Sequence, residues 1–507
     1  MTWRAEDPQG NEAAKVKWDI VPYTRGVVLD LGCGPSKAFP HFIGVDSGKD
    51  TDLFGIPMAP DVQVDTCEKL DDFEDSACDA VFSSHLLEHI EDYASALKEW
   101  WRLIKVGGYL VLYLPHRAYY PHVGEPGANP DHKHDFVAAD IIDAMRNVGG
   151  WDVVENQARN GGTEYSFLLV FQKTEGLRHT SSYLTRKAPK GPTACVVRYG
   201  GFGDMIQAAN VIPALKKQGF HVTVMTTPKG QDVLQHDPNI DAWFVQDTDQ
   251  VPNHELPAFW EHQAGRFDRF INLSESVEGT LLAMPGRANH AWPDNLRRKY
   301  LGVNYLEFTA ELAGVPYASA AKFYPSRDEL ERARARMLEP KEGLNVVFAL
   351  AGSSVHKFYP GQDHVIARIL TEMPECRIFM VGDPSCKMLE LGWENEPRVV
   401  PLSGEIGIRE TLTLAKLADV VLGPETGVLN AVAFEPMRKV VLLSHSSVEN
   451  LTKHWINTVS ILPPDVPCYP CHRLHYDRRY CPQDAETGAS VCQRAIHPET
   501  VFEAIVA

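Results

Sequence analysis

Cys468 and Cys471 are separated by two residues, Cys481 follows after nine more, and Cys492 after a further ten. Thiolates in that order can close tetrahedrally around one ion, with zinc or iron the natural candidates. The segment between them, HRLHYDRRY, is too polar to form a core. A loop-rich module over 464–495 therefore needs a staple. Paired disulfides and free thiols are the alternatives, and His472 or His475 could replace one thiolate. Four protein ligands leave no open position, so the expected role of an ion is structural.

A second kind of chemistry needs a carboxylate beside backbone that a ligand can approach. Arg198 to Leu215 reads RYGGFGDMIQAANVIPAL, after the apolar run ACVVRY. This predicts a strand, a glycine-rich turn and a helix, and is neither a GxGxxG nor a Walker loop. Asp204 stands at the helix mouth, where it either caps the first turn or acts on a bound substrate. A comparable strand end, VVLDL followed by GCG, lies at 27–34, and FIGV ends in Asp46. A carboxylate at that place suits two ribose hydroxyls. His116 follows Pro115, and His134 lies in the run from Asp131 to Asp135. A histidine in this loop could take a proton from an acceptor hydroxyl, bind a metal or simply solvate the loop. Glu88 and His89 either help close a cofactor pocket or cap a helix.

These residues need strands and helices to place them. VVLDL, FIGV, VQVD, ACDAVFSS and YLVLYLP read as strands of one sheet, closed by a hairpin over 151–173. Residues 174–192 lose periodicity and gain Gly and Pro, which predicts a linker. HVTVMTT, AWFVQ and FDRFINLS then alternate with helical or loop segments, as βαβ units do. His290, Trp292, Tyr300 and Tyr305 could line a cleft, though packing is the commoner role of such aromatics. SRDELERARARML, 326–338, reads as a solvated connecting helix, and a second strand–helix series begins at NVVFALAGSS. The fold class is α/β throughout.

Residues 1–173 resemble the class I S-adenosylmethionine-dependent methyltransferases, on GCG, Asp46, Asp65 and the strands in their order. The resemblance implies that Asp30, Gly32 and Gly34 line the methionine end of the cofactor. It places Asp46 at the ribose and Asp65 near the adenine. The stretch from GCG to Asp46 is too short for a full helix and two turns, so the usual first helix must shrink to a turn. Residues from 193 onward resemble the heptosyltransferase-like glycosyltransferases of family 9, on GFGDMIQAANVIPALK, GSSVHKFYP and GPETGVLNAVAFE. This implies a two-lobed GT-B fold, with an acceptor lobe at 193–325 and a nucleotide-sugar lobe at 326–507. Asp204 matches that family's general base and Lys357 a residue contacting the donor phosphates. Glu425, Thr426 and Gly427 match the turn that receives the diphosphate. Glu425 stands where an aspartate is usual, and Asn430 where a histidine is.

The chain has 507 residues, a formal net charge of −18 and no apolar run of membrane-spanning length. Its acidity disfavours a nonspecific nucleic-acid surface. The polar N-terminus shows no signal-peptide core, so a cytoplasmic location is expected. The expected activity is bifunctional carbohydrate modification: sugar transfer from a nucleotide-sugar donor, inverting and without catalytic magnesium, plus methyl transfer from S-adenosylmethionine. The alternative is a glycosyltransferase acting on protein or modified DNA, with a non-catalytic methyltransferase-like scaffold domain.

Overall fold

The structure is a computed structural model describing residues 11–48, 56–58, 60–176, 179–180, 191–317, 321–337, 343–352 and 354–507. Most of the expected linker, 174–192, lies outside the described residues. Among those described, the chain divides into two compact units. The first holds residues up to Lys190 together with Val245–Arg266, and the second holds Gly191–Phe244 with Phe267–Ala507. No helix among the described residues is long and apolar enough to cross a membrane.

The first unit is built on strands β1 (Val28–Leu31), β2 (Ile43–Asp46), β3 (Val62–Gln63), β4 (Cys78–Ser84), β5 (Ile104–Pro115), β6 (Trp151–Arg159), β7 (Ser166–Lys173) and β8 (His179–Thr180). Their order is 3-2-1-4-5-7-6-8. Strands β1 to β5 run parallel, and β7 lies antiparallel to both β5 and β6. The chain reverses direction across the sheet between β1 and β4, and open α/β sheets bind ligands at the carboxyl edge of such a point. Leu29, Leu31, Val81, Leu110 and Leu112 pack with Trp100 in the core beneath.

The connection from β1 to β2 is a turn, as its length requires. Phe39 and Phe42 bury fully there. Phe42 meets Phe82 of β4 at 6.3 Å between ring centroids, and Phe39 meets Trp18 at 5.9 Å. Trp18 belongs to the helix Ala13–Ile20 and in turn meets Phe259 at 5.8 Å. Phe259 lies on the helix Leu256–Ala264. Cover that a connecting helix would give thus comes from two helices distant in sequence.

Residues 245–266, expected within the acceptor lobe, therefore group with the first unit instead. Side-chain amides explain why. Gln250 Nε2 donates to the carbonyls of Val21 and Thr24, both at 2.8 Å, and Gln263 Nε2 donates to that of Trp18 at 2.9 Å. Asp19 accepts from His262 at 3.0 Å and Arg266 at 3.2 Å. Such bonds satisfy buried carbonyls at the end of a helix that has no partner further along the chain.

The second unit holds two parallel sheets. Strands β9 (Thr193–Val197), β10 (His221–Thr226), β11 (Ala242–Val245) and β12 (Arg269–Asn272) take the order 11-10-9-12. Strands β13 (Leu344–Ala349), β14 (Cys376–Val381), β15 (Val399–Pro401), β16 (Val420–Pro424), β17 (Arg438–Leu442) and β18 (Thr458–Ile461) take the order 15-14-13-16-17-18. Both are doubly wound arrangements, which makes this unit two-lobed.

The connecting helix, Arg327–Arg334, is less solvated than its sequence suggests. Ser326 and Glu329 form a capping box at its start. Glu329 is also buried against Arg409, whose Nη2 meets Oε2 at 2.8 Å. Arg409 further donates to the carbonyls of Asp232, Val233 and Tyr324, and so ties both lobes to the connector. A charged 326–338 pattern could not reveal that one acid of the helix has a buried partner eighty residues away. Arg409→Met should lower stability by about 3–5 kcal/mol, because it leaves Glu329 buried and unpaired. Urea unfolding measures this. Burial alone would raise the Glu329 carboxyl, but Arg409 and the Ser326 N–H hold it down at about 2. Its contribution is complete above the ordinary value of 4.5 and is lost as the pH falls through about 2. The variant should lack that part of the acid dependence.

Candidate active sites

Strand β9 leads through Gly200 and Gly201 into the helix Phe202–Ala208, and β16 leads through Glu425 and Thr426 into the helix Gly427–Ala431. The two helix starts meet face to face. A Cβ on Gly427 would lie 2.1 Å from the Phe202 ring, and one on Gly203 would lie 3.0 Å from the Gly427 Cα. Only glycine permits that approach. Beside the contact opens a cavity of about 460 Å³, lined by Asp204 and Lys229 from one lobe and by Lys357, Asp383, Thr426 and Asn430 from the other.

Asp204 is both a cap and a cleft residue. Its Oδ2 accepts the Gly201 N–H at 3.0 Å, and its Oδ1 lies 3.4 Å from Arg198 Nη2. Arg198 is buried and grips Glu278 with two nitrogens, at 3.0 and 2.7 Å. Burial raises the Asp204 carboxyl; Arg198 opposes the shift and Glu278 adds to it. The result is a more basic carboxylate facing a cavity. Glu278 was not legible as a site residue, although Arg198 beside the glycines is an unusual charge at a buried strand end.

Lys357 is buried, with Nζ donating to the Glu425 carbonyl at 2.7 Å. Burial lowers its ammonium, with Glu425 and Asp204 opposing. The Glu425 carboxylate points away into the lobe. Its Oε1 accepts the Ser444 and Ser446 N–H groups at 2.7 and 3.1 Å, and its Oε2 contacts His445 Nδ1. Burial alone would raise this group, but His445, Lys357 and the Ser444 N–H hold it well below the carboxylate range. Glu425 therefore shapes the turn, while its carbonyl steadies Lys357. Thr426 Oγ1 is buried with no hydrogen bond.

The four cysteines, Cys468, Cys471, Cys481 and Cys492, line a single cavity of about 120 Å³, together with His356 and His475. Four sulfur donors are of the type that suits a tetrahedral zinc or iron ion, although no three of these Sγ atoms lie within 4.8 Å of one another. The module is anchored on the other lobe. Arg297, fully buried, donates to the Cys471 carbonyl at 2.9 Å, and Arg473 Nη2 donates to that of His290 at 2.7 Å. His290 is thus part of the anchorage and Tyr305 part of the core, whereas Trp292 and Tyr300 are exposed.

In the first unit Asp30 is buried and accepts the Ala38 N–H at 3.0 Å, and burial pushes its carboxyl up to about 7. Gly32 packs under Leu86, whereas Gly34, at φ +57°, has open space where a side chain would be. Asp46 Oδ2 accepts the Gly34 N–H at 2.9 Å, and its Oδ1 accepts the Ser47 N–H at 2.7 Å and the Ser47 hydroxyl at 3.4 Å, so among the described residues it is Oδ2 that keeps a lone pair. Asp65 is exposed, two residues past β3.

The two histidines of the acceptor loop have partners. His116 Nδ1 accepts the Ala118 N–H at 3.1 Å, and His134 Nε2 lies 3.0 Å from the Ile90 carbonyl. Bound to a carbonyl, that nitrogen must carry a proton. The buried polar groups lie elsewhere. Glu88, in the turn Leu87–His89 after β4, is fully buried, and burial raises its carboxyl to about 8. His85 and His132 stand next to it. His132 lay inside a run already rich in candidates, and nothing in its spacing separated it from His134.

No curated protein matches the chain. Among solved structures, a glycosyl transferase of family 9 from Veillonella parvula is 14% identical, with a TM-score of 0.46, covering 62% of this chain and 96% of that one. The ADP-heptose LPS heptosyltransferase II of E. coli is 13% identical, with a TM-score of 0.43, covering 62% and 97%. An iron-containing dodecameric glycosyltransferase from enterotoxigenic E. coli is 15% identical, with a TM-score of 0.41, covering 62% and 77%. Within the first unit, from β1 to β5, residues 29–112 match the family model of a methyltransferase domain.

Proposed function

We propose that the second unit transfers a glycosyl group from a nucleotide-sugar donor to an acceptor hydroxyl, and that the first unit transfers a methyl group from S-adenosylmethionine to a related acceptor. The observation that carries the first half is the convergence of Asp204, Lys357 and Thr426 on one cavity. Lys357 places a positive charge where a leaving diphosphate gathers negative charge. The turn Glu425–Gly427 offers backbone at the same place. Asp204 accepts the acceptor's proton as its oxygen attacks the anomeric carbon.

For the first unit, Gly34 and Asp46 fit the cofactor: one offers space, the other a carboxylate oxygen with a lone pair near the carboxyl edge of the sheet. S-adenosylmethionine, when bound, supplies an electrophilic methyl group. Asp30 holds the Gly32–Ala38 turn in place, and Asp46 orients a ribose. The four cysteines hold a structural zinc or iron ion, so elemental analysis should find one equivalent that is lost when Cys471 and Cys492 are replaced by serine. A scaffold role for the first unit is favoured by one observation, that His116 and His134 are both engaged. In that reading the acceptor of sugar transfer is protein or modified DNA.

A thermal-shift panel with S-adenosylmethionine and ADP-, GDP-, UDP- and CDP-sugars tests the proposal. A ligand at 100 times its Kd stabilises by about 2.7 kcal/mol. Shifts with one nucleotide sugar and with S-adenosylmethionine are expected. A shift with the sugar nucleotide alone favours the scaffold reading, and no shift with any sugar nucleotide sinks the glycosyl-transfer half.

A further inference from the structure

Glu88 carries a buried carboxyl group neither of whose oxygens has a hydrogen-bond partner among the described residues. Buried oxygens left in that state are destabilising unless something absent from the polypeptide satisfies them. The surroundings say what that is. Glu88 Oε1 lies 3.8 Å from His85 Nδ1, 4.0 Å from His89 Nε2 and 3.8 Å from His132 Nε2. Three imidazole nitrogens thus converge on one carboxylate oxygen, all too far for hydrogen bonds. Ligands 2.0–2.2 Å from a shared ion in tetrahedral geometry lie about 3.4 Å from one another. The ligand atoms of Glu88, His89 and His132 all lie within 4.8 Å of one another, so these three must draw together to hold an ion.

The supports around the cluster fit the same purpose. His85 Nε2 pairs with Ser166 Oγ at 2.8 Å, which fixes the ring and leaves Nδ1 directed at Glu88. The loop bearing His132 is pinned to the turn bearing Glu88, because the Lys133 and His134 N–H groups donate to the Glu88 carbonyl at 2.8 and 3.3 Å. Glu12 adds a second buried carboxylate, its Oε2 without a hydrogen bond and 3.9 Å from His85 Nε2.

We propose that Glu88, His89 and His132, whose ligand atoms all lie within 4.8 Å of one another, form a binding site for a divalent first-row transition ion, of the zinc or manganese class. Imidazoles beside a carboxylate select such ions over magnesium or calcium, which prefer oxygen alone. The site is distinct from the four-cysteine cavity, which belongs to the other unit. It follows the carboxyl ends of β4 and β5, the edge where an acceptor would lie. On the methyltransferase reading, the fourth position that three protein ligands leave open would take an acceptor hydroxyl oxygen.

Manganese(II) is the probe of choice, because thiolate sites bind it poorly. Full-length protein is stripped with a chelator and titrated with Mn²⁺, and free ion is followed by its electron paramagnetic resonance signal. One equivalent should bind, with at least tenfold weaker binding in Glu88→Gln and in His132→Gln, and unchanged binding in Cys471→Ser/Cys492→Ser. Glu88→Gln replaces a buried carboxyl by an amide of nearly the same shape, so its metal-free Tm should stay close to that of the wild type, and Mn²⁺ should no longer raise it. No Mn²⁺ uptake, or uptake unaffected by both Glu88→Gln and His132→Gln, overturns the proposal. Mn²⁺ binding without a thermal shift by S-adenosylmethionine keeps the metal site and discards the methyltransferase reading.

Discussion

Asp204→Asn should lower kcat for sugar transfer by about 10²–10⁴-fold, the range that general-base catalysis contributes. The fold should survive. Asparagine keeps a carbonyl oxygen for the Gly201 N–H, so the helix cap persists, and Arg198 keeps its two bonds to Glu278. What disappears is the ability to accept a proton. The pH profile offers a second readout. Burial raises the Asp204 carboxyl, so the acid limb of the wild-type kcat/KM should fall at a pH above the ordinary carboxylate value. Activity is present above that limb and lost below it, because only the ionised form is a base. The residual activity of the variant should lack the limb. Sugar transfer at the wild-type rate in Asp204→Asn would remove Asp204 from the mechanism.

Lys357→Met should lower kcat by about 10²–10³-fold, comparable to deleting one donor that stabilises developing negative charge. Methionine fills nearly the same volume, so the loss reports charge rather than shape. Affinity for the donor and for the nucleoside diphosphate should both weaken, since the phosphates are common to them. There is a structural side effect. The Glu425 carbonyl loses its lysine donor at 2.7 Å in a buried place, at a cost of about 1–3 kcal/mol. Tm should therefore fall modestly, and nucleotide affinity must be measured at a temperature where the variant is folded. A wild-type kcat with unchanged donor affinity would show that Lys357 only braces the turn.

Much of the architecture was legible because it rests on local patterns. Buried parallel strands announce themselves as unbroken apolar runs, and VVLDL, HVTVMT and ADVVLGP each became the strand they resembled. The four cysteines, read as one module, line one cavity. Partnerships between distant residues were not legible. Glu425 reads as a ligand of phosphates, yet its carboxylate is spent on Ser444, His445 and Ser446. His134 and His132 look alike in sequence, yet only His132 faces Glu88, because the loop's hydrogen bonds to the Glu88 carbonyl set which ring turns inward. Gln250 and Gln263 carry no motif at all, and they decide to which unit residues 245–266 belong.

That last arrangement has a consequence for synthesis. The ribosome releases the chain from its N-terminus, and an upstream domain ordinarily folds before the next is made. Here the first unit still lacks Phe259, Gln250 and Gln263 when Lys190 has emerged. At ~5–20 residues per second, the stretch from Gly191 to Arg266 takes about 4–15 s more. Through that interval Trp18 has Phe39 but lacks Phe259, and the carbonyls of Val21 and Thr24 are without their amide. The strands β9, β10 and β11 are made meanwhile, so the nascent chain must start its second body before it can finish its first.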